Sequence, residues 1–219
     1  MLEIVTLVLG PVSTNTYLIA DAASGEAAVI DPAWDGHLIL AEAEKRGWRI
    51  GQVWITHAHF DHIGGSGDLV RGLDPAPVIA LHPNDRPLWD SQGGAALFGF
   101  SIPPTLRQAQ GTGPAPGIDL SAGMALKLGG LHFEVRHTPG HTPGLCVFYC
   151  AEASVCFCGD LIFQRSVGRT DLPGGDWEAL VASIRTQIYT LPEETRLLPG
   201  HGEETTVGEE KRENPFIRP

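Results

Sequence analysis

Three histidines and an aspartate fall within the six positions 57–62, in the segment 56–62 (THAHFDH), directly after an apolar stretch. Buried ionisable groups are costly unless they are paired or bound to a metal, and imidazoles with a carboxylate suit zinc, iron and manganese. Residues 52–55 predict a buried strand, and alternate side chains of an extended chain point the same way. His57 and His59 can therefore bind one ion together, while Asp61 and His62 follow at a turn and can face a second position.

Three later loops each offer one more candidate ligand. These are His141 in TPGHTPG (138–144), Asp160 in CGD (158–160) and His201 in PGHG (199–202). Glycine and proline in such loops fix the backbone geometry and allow close approach to a ligand. A single histidine in one such loop is most often structural, but all three loops after the first motif predict one shared metal site.

The order of these motifs resembles that of the metallo-β-lactamase superfamily, and the resemblance covers nearly the whole chain. It includes residues 15–18 (NTYL) and 29–32 (VIDP). Residues 163–175 and 213–218 look like the short, single-domain members of the glyoxalase II branch, the hydroxyacylglutathione hydrolases. The resemblance implies an α/β fold of the α+β kind, an αββα sandwich in which helices flank two mixed sheets.

Residue patterns agree with such a sandwich, because two sheets with helices outside would bury the apolar runs. Helices are predicted at about 37–46, 67–73 and 176–189, the last capped by Asp176. Strands are predicted at 4–9, 16–21, 27–31, 53–56, 78–81, 126–128, 131–137, 145–149, 155–158 and 196–198. Residues 82–120 are irregular and rich in glycine and proline, and we expect them to form either a surface excursion pinned by aromatic residues or an apolar wall over the metals.

The resemblance also implies the ligand set. His57, His59 and His141 would bind a first divalent ion, Asp61, His62 and His201 a second, and Asp160 would bridge the two. Zinc is the expected metal, with iron and manganese as alternatives. Two such ions can share a water and lower its pKa, so that a bridging hydroxide attacks a carbonyl without a serine or cysteine nucleophile. Asp61 and Asp160 are therefore the predicted catalytic residues, Asp61 also as the group that orients the hydroxide.

Three further residues are candidates for supporting roles. In the superfamily an aspartate at the position of Asp31 supports the metal loop by hydrogen bonding. Arg165 and Arg169 follow Asp160 in a glycine-containing loop and could bind a substrate carboxylate, although an internal pair such as Arg169 with Asp171 is favoured. The remaining histidines are expected to be structural; His137 could also support the ligands from behind.

Length, charge and the positions of the cysteines bear on the number of domains, on the kind of partner and on the cellular compartment. A chain of 219 residues whose ligands are spread from position 57 to 201 is expected to form a single domain over 1–219. The net charge of −11 argues against a nucleic-acid partner, and no apolar run is long enough to predict a membrane span. The four cysteines lie in apolar runs without a Cys-x-x-Cys motif, so we expect reduced, buried thiols in a cytoplasmic protein. Oligomeric state is not predictable from these features.

The predicted function is hydrolysis of a small-molecule thioester similar to a hydroxyacylglutathione. The sequence lacks the C-terminal helical extension through which glyoxalase II enzymes contact glutathione, so other thioesters, esters and lactones stay open. Persulfide dioxygenases, which bind one iron at positions matching His57, His141 and Asp160, are the rival from another reaction class. The intact set Asp61, His62 and His201 favours the hydrolase, and a metal-binding module without activity is the remaining alternative. A β-lactamase is not expected, because residues 1–9 lack the basic start of an export signal.

Overall fold

Two six-stranded β-sheets pack face to face between outer helices in a computed structural model that describes residues 1–100 and 115–218. This arrangement confirms the predicted αββα sandwich with two mixed sheets. Within the described ranges, none of the helices combines the length and apolar character needed to cross a lipid bilayer.

The first sheet has the strand order β1-β2-β3-β4-β5-β6. The first two pairings are antiparallel, and the three that follow are parallel. The parallel part therefore has the carboxyl ends of β3, β4 and β5 at one edge. The six strands are β1 (Leu2–Leu9), β2 (Thr14–Asp21), β3 (Glu26–Ile30), β4 (Arg49–Trp54), β5 (Val78–Leu81) and β6 (Ile118–Asp119).

The second sheet begins with strands β7 (Ala125–Leu128), β8 (Leu131–His137) and β9 (Cys146–Cys150) and is completed by β10 (Val155–Gly159), β13 (Arg196–Pro199) and β14 (Thr205–Thr206). Its spatial order is β14-β13-β10-β9-β8-β7, with β10 and β13 parallel and the other pairs antiparallel. Between β10 and β13 lies a small separate hairpin, β11 (Ile162–Phe163) with β12 (Ser166–Val167).

Helices cover the outer faces of both sheets. They are α1 (Gly36–Arg46), α2 (Phe60–Ile63), α3 (Ser66–Gly72), α4 (Arg86–Asp90), α5 (Trp177–Ser183) and α6 (Val207–Glu213). The side chain of Asp176 accepts a hydrogen bond from Ala179 N at 3.0 Å, as predicted for a cap of α5. The last turn of the predicted helix, Ile184–Ile188, is π-helical rather than α-helical.

Three apolar clusters follow from this layering. One lies between the first sheet and α1 to α3, one between the two sheets, and one between the second sheet and α5 with α6. Trp54, Phe133 and Phe148 fill the middle cluster, with ring centroids 4.9 Å and 5.7 Å from Trp54. The continuous apolar run of β10 is thus buried on both faces, that of β9 nearly so, and in β4 only the last two residues, Val53 and Trp54, are.

The segment 82–120 is more regular than its composition indicated. It contains a 3₁₀ turn (Pro83–Asp85), α4, two merged 3₁₀ turns (Gln92–Phe98) and β6. Proline in the first turn of α4 is compatible with a helix start, because its missing N–H would have no intrahelical partner there. The part of the expectation that concerns residues 101–114 lies outside the described residues.

Candidate metal centre

The predicted ligands meet where the carboxyl ends of the central strands reach one edge of the sandwich. Asp31 follows β3, the motif 57–62 follows β4, and Asp160 follows β10. A hydrogen bond from Cys146 N, at the start of β9, to Thr56 O, just after β4, joins the two sheets at 2.8 Å. Parallel pairing of β10 with β13 sets Gly159 beside Pro199, so Asp160 and His201 emerge side by side.

His57, His59 and His141 form the first group of candidate ligands. Each offers a ring nitrogen, and these atoms all lie within 4.8 Å of one another. His59 Nδ1 is 2.9 Å from His141 Nε2. The other nitrogen of His141 lies 2.7 Å from the carbonyl oxygen of Arg169, which fixes the ring and leaves Nε2 for the centre of the group.

Asp61, His62 and His201 form the second group, under the same 4.8 Å limit. Asp61 Oδ2 lies 3.2 Å from His201 Nε2 and 3.4 Å from His62 Nε2. Thr14 donates a hydrogen bond from its hydroxyl to the same oxygen at 3.0 Å. This oxygen is thus held at the centre of the second group.

Asp160 lies between the two groups. Its Oδ2 is 3.7 Å from His141 Nε2 and 3.5 Å from His201 Nε2, whereas its Oδ1 is 3.4 Å from His62 Nε2. A carboxylate offers several lone-pair positions on two oxygens and can contact two cations at once. The geometry therefore fits a bridging position for Asp160.

The donor atoms themselves fit a metal pair. His57 Nε2, His62 Nε2 and Asp160 Oδ1 are buried and lack a hydrogen-bond partner among the described residues. Orphaned polar atoms of this kind are rare in folded proteins and call for an ion or a water. Asp31, His57 and His62 also form a third close group, but the carboxylate of Asp31 is already occupied by hydrogen bonds.

Electrostatics put most of these groups in the forms that bind metals. Burial, and then the neighbouring histidines, lower the pKa of His57 well below its usual value and that of His59 to about 3. Burial opposes ionisation of Asp160, but His62 outweighs it and lowers the pKa of Asp160 to about 2. The same balance keeps the pKa of Asp61 below its usual range. Burial is outweighed at His62 by three carboxylates, which raise its pKa well above the usual value.

Asp31 holds the first motif from behind. Its backbone adopts a φ of +49°, an uncommon conformation that aspartate tolerates better than most residues. Thr56 donates to Asp31 from its backbone N–H at 2.7 Å and from its hydroxyl at 2.6 Å. Asp31 Oδ2 also lies 2.9 Å from His62 Nδ1, which directs His62 Nε2 toward the second group.

The start of β2 holds the loop that carries His201. Asn15 donates its side-chain amide to Pro199 O and Gly202 O at 3.0 and 2.9 Å, and its backbone N–H bonds Gly200 O at 2.7 Å. The hydroxyl of Tyr17 donates to Pro199 O at 2.7 Å. The segment 15–18 that carried part of the resemblance thus has a physical role at this centre.

Asp85 is a buried carboxylate that the sequence analysis did not single out. It accepts hydrogen bonds from Ala58 N at 3.0 Å, from the hydroxyl of Thr142 at 2.8 Å and from Gly144 N at 2.6 Å. Ala58 lies between two candidate ligands, and Thr142 follows His141. The only local signal was an acidic residue in a turn, which does not reveal partners 27 to 59 positions away.

The two arginines pair within the protein. Arg169 forms two hydrogen bonds with Asp171, at 2.7 and 2.8 Å, the internal pair that the sequence analysis favoured. Arg165 contacts Glu213 at 2.7 Å through Nε, and its backbone N–H donates to Glu210 at 3.0 Å. Both arginine side chains are more than half exposed.

Segment 86–100 combines the two alternatives that were predicted for it, an excursion pinned by aromatic residues and an apolar wall. Trp89 is buried in the cluster under the first sheet, which pins the segment. Phe98 and Phe100 lie against Phe60 of the metal motif, with ring centroids 5.6 and 5.0 Å away. Apolar side chains of the same segment border His59, so an apolar wall stands beside the first group of ligands.

The other histidines and the cysteines lie apart from the two ligand groups. His82 and His137 stack at 4.0 Å between ring centroids, His82 capping the turn at Asn84 and His137 contacting Pro143 O. All four cysteines are free and buried. Burial raises the pKa of the Cys156 thiol to about 12, which makes it a poor metal ligand.

Curated relatives span almost the full chain. The "Probable metallo-hydrolase YqgX" of Bacillus subtilis is 38% identical over 210 residues, which are 95% of this chain and 94% of that protein. The "Hydroxyacylglutathione hydrolase GloC" of Haemophilus influenzae is 36% identical over 199 residues, 87% of each protein.

Solved structures share the architecture. The structure of TTHA1623 in a di-iron-bound form has a TM-score of 0.85 at 41% identity and covers 97% of this chain and 100% of that one. The BLEG-1 B3 metallo-beta-lactamase has a TM-score of 0.86 at 34% identity and covers 99% of both chains. The profile of the metallo-beta-lactamase superfamily matches residues 9–201. With two His/Asp groups that fit two metal ions at the sheet edge, the chain belongs to the metallo-β-lactamase superfamily.

Proposed function

We propose that this chain is a dinuclear metallo-hydrolase that cleaves a small thioester of the hydroxyacylglutathione kind. The observation that carries the proposal is the second ligand group, Asp61, His62 and His201, brought together with Asp160 beside the first group. Support also comes from the relative that is named a hydroxyacylglutathione hydrolase.

The metal pair, when bound, supplies a water of lowered pKa and polarises the carbonyl of the substrate. The protein holds the ligands before substrate arrives: Asp31 fixes His62, Arg169 O fixes His141, and Asp85 joins the loops of the first group. Asp61 stays ionised and is positioned by Thr14, so it can accept a hydrogen bond from the attacking water and orient it. The products are a carboxylic acid and a free thiol, and water supplies the added atoms.

Zinc is the proposed metal, with iron as the alternative that the di-iron neighbour supports. Asp160 with the histidines of the two groups would hold either ion, so that supply would decide between them. The test is elemental analysis of protein purified without added metal, with the same batch assayed for thioester hydrolysis, persulfide oxidation and β-lactam hydrolysis.

About two metals per chain with thioester cleavage is the expected result. One iron per chain with oxygen uptake on a persulfide would replace the proposal with the dioxygenase. Hydrolysis confined to a β-lactam would replace it with the activity for which the BLEG-1 neighbour is named. Cleavage of a lactone or simple ester without thioester cleavage would move the substrate class but keep the hydrolase.

A further inference from the structure

A narrow apolar slot lies beside the first group of candidate ligands. Its volume is about 30 Å³, room for a group of roughly two carbon atoms. One wall comes from Leu88, Leu97 and Phe98 of segment 86–100, and a second wall comes from Leu172 and Pro173. His59, a candidate ligand of the first metal, forms part of the lining, so an occupant would lie next to the reacting centre.

The first wall is fixed to the backbone of the metal motif. Gly93 packs so closely that a Cβ atom there would lie 2.2 Å from Phe60 N and 2.7 Å from the carbonyl carbon of His59. Gly93 also has a φ of +65°, a conformation that glycine adopts without strain. With Phe98 against Phe60, the wall cannot move without moving the motif itself.

The second wall is fixed to the loop of His141. Leu172 and Pro173 lie in a turn closed by a hydrogen bond from Gly175 N to Leu172 O at 2.9 Å. The next residue, Asp176, donates its N–H to Gly140 O at 2.7 Å. Both walls are therefore attached to loops that carry first-group ligands, which makes the slot pre-formed.

The lining determines the chemistry of the occupant. Apart from His59, its side chains are aliphatic or aromatic, and none of the described lining residues is an aspartate, glutamate, lysine or arginine. A peptide thiol with carboxylates would leave its charges unpaired there, and it is too large for the space. A short alkyl group fits both the volume and the polarity.

We propose that this slot binds the short alkyl part of the substrate's acyl group and thereby selects small acyl thioesters. The inference rests on the proposed hydrolytic function and names the substrate class for that site. Each methylene that enters the slot raises kcat/KM by about fourfold, the factor expected for burying one CH₂ group. Chains that exceed the slot gain nothing further or clash.

The test is a series of thioesters of one common thiol whose straight acyl chains lengthen from acetyl to octanoyl. Wild-type protein is expected to favour short chains, and Leu172→Ala, which widens the slot, to shift the optimum by one or two carbons. Leu97→Asp places a charge at the rim of the slot, and it replaces Leu172→Ala as the test variant if that protein does not fold. Leu38→Ala is the matched control, because Leu38 is an exposed leucine of α1.

A second measurement tests binding in the slot independently of hydrolysis. Calorimetry records the binding of straight-chain carboxylates, acetate to octanoate, to the metal-loaded protein and the same variants. Hydrolysis with one chain-length profile in all variants overturns the slot and leaves the proposed function in place. No hydrolysis, but carboxylate affinities whose optimum moves in Leu172→Ala, supports the slot and overturns the thioester function. If there is no hydrolysis and the optimum of the carboxylate affinities does not move in Leu172→Ala, both the slot and the thioester function are overturned.

Discussion

Asp85 Oδ2 accepts the hydrogen bond that Ala58 donates from its backbone N–H, at 3.0 Å. Ala58 stands between His57 and His59, and the same oxygen accepts the hydroxyl of Thr142, next to His141. One buried carboxylate thus joins the two loops whose histidines form the first ligand group. Burial raises the pKa of Asp85, although three donated hydrogen bonds oppose the shift.

Asp85→Asn should weaken the first metal position. The NH₂ group of the asparagine would face a donor whose hydrogen bond the carboxylate now accepts. A buried polar group would then be unsatisfied, at a cost of about 1–3 kcal/mol. Partners that orient metal ligands typically contribute about 10–100-fold in metal affinity. Metal affinity from chelator competition and the free energy of unfolding in urea check both effects. Asp119→Asn, at an exposed carboxylate, is the control; equal metal affinity in both variants would show that Asp85 does not position the ligands.

The ligand motif and most strands could be predicted because their signals are local. His57, His59, Asp61 and His62 lie within one short segment, and the buried strands are continuous apolar runs. Strand β4 begins four residues earlier than predicted, since its first half alternates exposed and buried side chains at a sheet margin. The short helices α4 and α6 were not predicted, because their sequences carry too few apolar residues for a helical period.

Residues that act through distant hydrogen bonds left no such signal. Asp85, Thr14 and Glu210 each find partners more than 25 positions away, which no local pattern encodes. The single-domain organisation, the absence of a nucleic-acid partner and the substrate stay predictions.

Glu210 is the second buried carboxylate whose removal should be costly. It accepts hydrogen bonds from Arg165 N at 3.0 Å, from the hydroxyl of Thr205 at 2.7 Å and from the amide of Asn214 at 2.8 Å. These bonds hold the hairpin that follows Asp160. Glu210→Ala leaves those donors unpaired, and we expect a loss of about 2–4 kcal/mol in urea unfolding.

The control for Glu210 is Glu213→Ala on the same helix. Glu213 pairs with Arg165 at the surface, where such a pair contributes less than about 1 kcal/mol. Comparable losses in the two variants would mean that the buried hydrogen bonds of Glu210 are not what stabilises the hairpin.

His82 should make the protein less stable in acid. Burial, and then the stacked ring of His137, lower the pKa of His82 from 6.5 to about 4. Between pH 4 and pH 6.5 the imidazole is protonated in the unfolded chain but neutral in the folded protein. The free energy of unfolding therefore falls as the pH drops from 6.5 toward 4, and it levels off below pH 4. The contribution is about 1–3 kcal/mol. His82→Asn keeps an acceptor for Asn84 N–H but does not titrate, so its unfolding free energy should decline less over this range; parallel pH profiles would contradict the assignment.

Asp61→Asn should separate catalysis from folding. The amide keeps the shape of the side chain and an oxygen that can accept the Thr14 hydroxyl, but it removes the charge that faces His62 and His201. We expect the metal content to fall from two ions toward one and kcat/KM to drop at least about 100-fold, the scale of losing one positioned charged group at a reacting centre. Circular dichroism should show an intact fold.

The control is Asp90→Asn, at an exposed position of α4, which should change neither the metal content nor kcat/KM. Full turnover in Asp61→Asn with two metals bound would remove Asp61 from the mechanism and leave Asp160 as the acidic group of the centre.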